Sequence, residues 1–237
     1  MPLRALLLDF DNTMMQTEAV SIPSLIDRFN ELYSQHINQS LTMDIFQEYF
    51  HGKARQNLCE ALSSHYGINI DFEVLYQDRQ LNMMKAYRKY GVEMAENLLP
   101  TLQGIQQDNI TLALVSNNPI QTNLTAMRFA KNSQGDELAR LFGTYMFEAG
   151  DIQKPDPDVY HRALSQLDVQ ATDAVAIEDS HTGIQAAVLA GIPALGFTGF
   201  AEDKDAKEKQ LKAAGAKHCF HHFSEVEAML KATALLS

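Results

Sequence analysis

The chain has 237 residues, enough for one large domain or for a core domain with a smaller companion, and its formal charge is 19 − 30 = −11. No run of basic residues offsets that charge, which argues against nucleic acid or an anionic membrane surface as a partner. The two cysteines, Cys59 and Cys219, lie far apart in no metal-ligand spacing, as suits a reducing compartment.

The chain opens on Ala5-Leu6-Leu7-Leu8-Asp9-Phe10-Asp11. A short continuous apolar run that ends in polar residues predicts a strand buried on both faces of a parallel sheet, with its carboxylates at the strand end. That run is too short for a signal-peptide core or a bilayer span, so a cytoplasmic protein is expected. From Thr17 to Asn97 apolar residues recur at helical spacing, as in Ile22, Leu25, Ile26 and Phe29, and about four helices are expected there. From Leu98 onward strands and helices alternate. Thr111–Val115 and Ala174–Ile177 read as strands, Gly183–Ala190 as a helix closed by Gly191 and Pro193, and Ile192–Phe197 and His218–Phe220 as weaker strands. This order predicts an α/β fold: a Rossmann-like, doubly wound parallel sheet formed by residues 1–16 and 98–237, with residues 17–97 inserted as a helical cap. The stretch from Glu202 to Lys212 mixes both signs of charge, as a solvated helix face does.

Four short segments carry chemistry-bearing residues. Asp9 and Asp11, followed by Thr13, end the first strand, and strand ends are where open α/β sheets bind ligands. Ser116-Asn117-Asn118 ends the second, with a hydroxyl and amides suited to phosphate oxygens. Lys154 stands among Pro155 and Pro157, and Glu178-Asp179-Ser180 ends another apolar strand before Gly183. Taken singly, these read as an Asx turn, a surface lysine and a helix cap.

Together and in this order, the four segments resemble the haloacid dehalogenase-like superfamily. The resemblance is to its branch of sugar-phosphate phosphatases, phosphoglycolate phosphatases and β-phosphoglucomutases with a helical cap, and it covers nearly the whole chain. It implies Asp9 as nucleophile and Asp11 as general acid and base. Ser116 and Lys154 would hold the transferring phosphoryl group, with Thr13 and Asn117 in support. A magnesium ion would be held by Asp9, the Asp11 carbonyl, Asp179 and the adjacent Glu178. Charge balance agrees, because several carboxylates cannot share a site with a phosphate dianion unless a divalent cation and a lysine offset the repulsion, and hard oxygen donors suit magnesium.

Position 12 is Asn where these relatives have Gly; its amide is expected to meet phosphate, and Asn tolerates the left-handed turn required. Lys131–Glu137 is expected to be an exposed loop. In the cap, Lys53 and Arg55 resemble a segment in which related mutases bind a second phosphate. His218-Cys219-Phe220-His221-His222 matches no zinc spacing and reads as structural. The expected reaction is hydrolysis of a small phosphorylated metabolite by a monomer or homodimer, with a phosphomutase as the rival. A noncatalytic binding module would be expected to have lost one of Asp9, Asp11, Lys154 or Asp179, and all four are present.

Overall fold

A computed structural model describes residues 3–50 and 55–234. The described chain divides into two compact units, one formed by Met1–Thr17 with Val92–Ser237 and the other by Glu18–Gly91. Residues 92–97, expected with the helical insert, belong instead to the sheet unit. Backbone bridges tie Met94 to Met15 and Val92 to Ala130, which fixes this segment beside the first motif.

The sheet unit is built on six strands: β1 (Ala5–Leu8), β2 (Thr111–Ser116), β3 (Met146–Glu148), β4 (Ala174–Glu178), β5 (Ala194–Phe197) and β6 (His218–Phe220). Their order is β3-β2-β1-β4-β5-β6, and every neighbouring pair is parallel. The doubly wound parallel sheet is therefore present. β1 and β4 are buried along their whole length, which is why they read as unbroken apolar runs.

The helical unit contains α1 (Glu18–Tyr33), α2 (Met43–Tyr49), α3 (Arg55–Tyr66), α4 (Phe72–Tyr76) and α5 (Arg79–Tyr90), so five helices stand among the described residues where about four were expected. Thr42 and Asp71 start α2 and α4 by accepting from Ile45 N and Val74 N. Phe29, Phe46, Phe50, Leu58 and Leu62 form the core of this unit. In the sheet unit the helices are α6 (Leu98–Gln107), α7 (Ile120–Arg128), α8 (Gly135–Phe142), α9 (Asp158–Leu167), α10 (His181–Leu189), α11 (Lys204–Ala214) and α12 (Val226–Ala234).

Alternation along β1 sends Ala5 and Leu7 to one face of the sheet. There they pack with Val159, Tyr160 and Ala163 of α9 and with Ile184, Ala186 and Ala187 of α10. Helices α6 and α8 cover β2 on the other face. The segment expected as a loop at 131–137 runs into α8 at Gly135. A side chain there would collide with the Met127 carbonyl, so only glycine lets the start of α8 pack this closely on α7.

The chain winds outward in one direction from β1 to β2 and β3, then returns to β4 on the other side of β1. The crevice of such a sheet lies where the winding reverses, at the carboxyl ends of β1 and β4. Asp9 follows β1 and Glu178 ends β4, with the Asp9 amide donating to the Ile177 carbonyl at 2.9 Å.

Candidate active site

The first carboxylate is held in place by the strand that delivers it. Asp9 is 8% exposed; its Oδ1 accepts from Lys154 Nζ at 2.8 Å and its Oδ2 from the Thr13 hydroxyl at 2.9 Å. Lys154 is fixed as firmly. Its ammonium also donates to the Val115 carbonyl at 2.7 Å and to Glu178 Oε1 at 2.6 Å, so all three N–H bonds are used. Its backbone amide donates to Asn117 Oδ1 at 2.9 Å. Burial alone would lower the Lys154 pKa, but the charges of Asp9 and Glu178 more than offset this and raise it.

Asp11 sits in a different environment. Its Oδ1 accepts from Thr17 Oγ1 at 2.7 Å and its Oδ2 from Asn118 Nδ2 at 2.8 Å, with Ser116 Oγ more distant at 3.5 Å. Burial, and then the charge of Asp9, raise the Asp11 pKa against the opposing pull of Thr17, Asn118 and Lys154. Two acids separated by one residue are thus set apart: one paired with a cation, the other biased toward holding a proton.

Glu178 is fully buried, and burial followed by the charge of Asp9 raises its pKa. Besides Lys154 it accepts from the Tyr160 hydroxyl at 2.6 Å. Gly183 leaves the room this requires, since a Cβ there would stand 1.9 Å from Glu178 Oε2. The Ser180 side chain starts α10 by accepting from Gly183 N at 2.9 Å, so the predicted cap coexists with the acidic motif.

The structure thus brings together seven of the residues singled out in the sheet unit, in two hydrogen-bonded groups: Asp9, Thr13, Asn117, Lys154 and Glu178 in one, and Asp11 with Ser116, joined through Asn118, in the other. The two are close enough for the charges of Asp9 and Lys154 to act on Asp11. Asp179 joins them through carboxylate oxygens of Asp9, Glu178 and Asp179 that lie within 4.8 Å of one another, the group among the described residues that could hold a metal ion. Thr13 and Asn117 spend these contacts on Asp9 and on the Lys154 backbone. Asn12 adopts the left-handed conformation expected, with φ at 53°, but its amide donates to the Met15 carbonyl at 2.7 Å and so closes the turn. Lys53 lies outside the described residues, and so does the side chain of Arg55, which begins α3.

Asn118, Thr17 and Tyr160 were not assigned roles from the sequence. Asn118 belongs to the Ser116-Asn117-Asn118 run that ends the second strand, and its amide could have been found there. Tyr160 lies on the apolar face of α9 and looks like core. His221, whose ring bonds the Thr198 hydroxyl, lies in the chain between Phe220 and Phe223, which pack with Phe197. The helical unit holds a cavity of about 380 Å³ whose mostly apolar lining includes the cations Arg28 and Arg79.

Carboxylates at adjoining strand ends, with a buried lysine among them, thus occupy the crevice of a doubly wound α/β sheet, the place where such sheets bind ligands. The chain matches the model of the haloacid dehalogenase-like hydrolase family over residues 6–197 and belongs to that family. It is similar to protein CbbY from Cupriavidus necator, 55% identical over 42 residues, or 18% of this chain and 16% of that one. It is also similar to a phosphorylated carbohydrates phosphatase from Thermotoga maritima, 24% identical over 198 residues, or 80% of this chain and 82% of that one. The first three curated relatives are matched over 16%, 33% and 27% of their own lengths, so the chain spans a third or less of each. A HAD family hydrolase from Deinococcus radiodurans with bound phosphate and sodium shares the fold, with a TM-score of 0.72, 23% identity and coverage of 99% of this chain and 97% of that one. No helix among the described residues is long and apolar enough to cross a membrane.

Proposed function

We propose that this chain is a magnesium-dependent phosphomonoesterase that hydrolyses a small phosphorylated metabolite, with a sugar phosphate the preferred class, through a phosphoryl group carried on Asp9. The observation that carries the reading is the contrast between Asp9, fixed by Lys154 and Thr13, and Asp11, whose pKa is raised by burial and by Asp9. In the first step an Asp9 oxygen bonds to phosphorus while the bond to the leaving oxygen breaks, and Asp11 gives that oxygen its proton. In the second, Asp11 takes a proton from water as the water oxygen attacks phosphorus, releasing phosphate and restoring the Asp9 carboxylate. The Ser116 hydroxyl orients the phosphoryl oxygens, and Lys154 offsets their charge, donating to one of them once it gives up one of its three present acceptors.

The donor set fits a hard divalent cation: Asp9, Glu178 and Asp179 present oxygens within 4.8 Å, and the added charge of a phosphate needs more than lysine to balance it. Asp9 and Asp179, with Glu178 beside them, would hold magnesium, which supplies charge stabilisation to the phosphoryl oxygens. The two free thiols suit a cytoplasmic setting. A phosphomutase would use the same residues and return the phosphoryl group to sugar. The likeness of the segment carrying Lys53 and Arg55 to one in which related mutases bind a second phosphate is what keeps that rival open.

Phosphate release from a panel of sugar phosphates, phosphoglycolate and p-nitrophenyl phosphate tests the reading. Release that depends on magnesium and stops with excess chelator is expected, whereas isomer interconversion without release would establish the mutase. Asp11→Asn should separate the two steps. With p-nitrophenyl phosphate, whose leaving group needs little protonation, this variant should give a burst of about one nitrophenol per chain and then stall, with steady turnover down on the order of 10²- to 10⁴-fold. A linear time course without a burst would count against Asp11 as the base of the second step. Since Asp11 must be protonated to act first, kcat/KM for an alkyl phosphate should fall as pH rises through its raised pKa. The nitrophenyl ester should lack that limb.

A further inference from the structure

The mixed-charge stretch from Glu202 to Lys212 reads in the sequence as an ordinary solvated face, and most of it is one. Within α11, Lys212 pairs with Glu208 one turn before it, at 2.5 Å. Lys207 does something else. Asp203 caps the helix by accepting from Ala206 N at 2.9 Å, and this start places Lys207 in the second turn with its ammonium 3.3 Å from Asp179 Oδ2. The two side chains are 27% and 13% exposed, so the pair sits at the rim of the acidic cluster and not on the open surface. Lys154 already pairs with Asp9 and Glu178 from within; Lys207 is a second cation, delivered from a different element to the third carboxylate.

We infer that Lys207 is a positioning residue and a built-in competitor of the metal ion: it holds the Asp179 carboxylate in the metal-free protein and yields it when a divalent cation binds. The inference rests on the reading of Asp9, Glu178 and Asp179 as the metal-binding group. An ammonium beside a carboxylate satisfies the same charge that a cation would. The incoming ion must either displace the ammonium or accept a positive neighbour a few ångströms away, and both weaken its binding. Lys207 therefore stabilises the metal-free site against repulsion among three carboxylates, at the expense of metal affinity. The site would fill only where the free cation is abundant, and scarce ions of similar charge would be held less tightly than the carboxylates alone would hold them.

The test is calorimetric titration of magnesium into the metal-free 237-residue chain, with melting curves of the metal-free and magnesium-saturated protein, for the wild type, Lys207→Met and Lys207→Arg. Methionine keeps the length and apolar stem of the side chain without its charge. The expected result is magnesium bound about two- to five-fold more tightly by Lys207→Met, the range for a partly exposed ion pair. Its metal-free form should melt lower than wild type while the saturated forms melt together, and Lys207→Arg should return toward wild-type affinity. Equal or weaker affinity in Lys207→Met, with the wild type binding normally, would overturn the competition alone. A wild type that neither binds magnesium nor melts higher in its presence would overturn both this inference and the metal-dependent reading beneath it.

Discussion

Replacing Asp9 by Asn should lower steady turnover on the order of 10⁴-fold or more while leaving the fold in place. The loss follows from chemistry: an amide oxygen is a far weaker nucleophile than a carboxylate, and no other side chain in the network is placed to take over attack on phosphorus. Preservation of the fold follows from geometry. The Asn carbonyl can still accept from Lys154, its amide can donate to the Thr13 hydroxyl, and Lys154 keeps the Val115 carbonyl and the Glu178 carboxylate. Loss of turnover together with a near-normal melting temperature is the expected outcome. Near-normal turnover would remove the nucleophile from the account, and a collapsed melting temperature would show that Asp9 is chiefly a structural ion.

Lys154→Met should be the reverse case, costly to stability as well as to turnover. Methionine fills the volume but leaves two buried carboxylates, Asp9 and Glu178, facing each other without a cation. Breaking a buried ion pair by removing one partner typically costs about 3–5 kcal/mol. For a chain of this size that is a fall in melting temperature on the order of 10 °C. The pH dependence has a definite sign. The raised Lys154 pKa means its stabilisation is complete below the ordinary lysine range and is lost only as pH rises through the folded value, so the wild type keeps it at neutral pH. In the variant the penalty should shrink as pH falls, because Glu178, already biased toward its protonated form by burial and by Asp9, then loses its charge. A penalty that does not change with pH would mean that lost packing, and not unpaired charge, explains the damage.

The central strands were legible because a strand buried on both faces must be apolar throughout, as β1 and β4 are. The three-residue edge strand β3 was not, since Met146-Phe147-Glu148 is too short to show any period. Helix α8 was hidden for a similar reason. Its first turn is polar, and the close packing of Gly135 on Met127 is a tertiary fact with no local signal. The site divides along the same line. Asp9, Asp11, Ser116, Glu178 and Asp179 stood out because carboxylates and a hydroxyl gathered at predicted strand ends, and Lys154 because it stands between two prolines in the recognisable order of the four segments. Their supports were silent. Tyr160 occupies a position any apolar residue could fill, and its hydroxyl finds Glu178 only once α9 packs on the sheet. Lys207 looked like one charge among many until α11 brought it beside Asp179.

The proposed covalent bond between Asp9 and phosphorus can be trapped. Acid quenching of Asp11→Asn during reaction with p-nitrophenyl phosphate and magnesium, followed by peptide mass spectrometry, should find one phosphoryl group on the Asp9 peptide. The modification should be labile to hydroxylamine, as acyl phosphates are, and absent when Asp9→Asn is combined in the same chain. An Asp9 peptide that stays unmodified while the burst of nitrophenol is seen would contradict the mechanism at its centre.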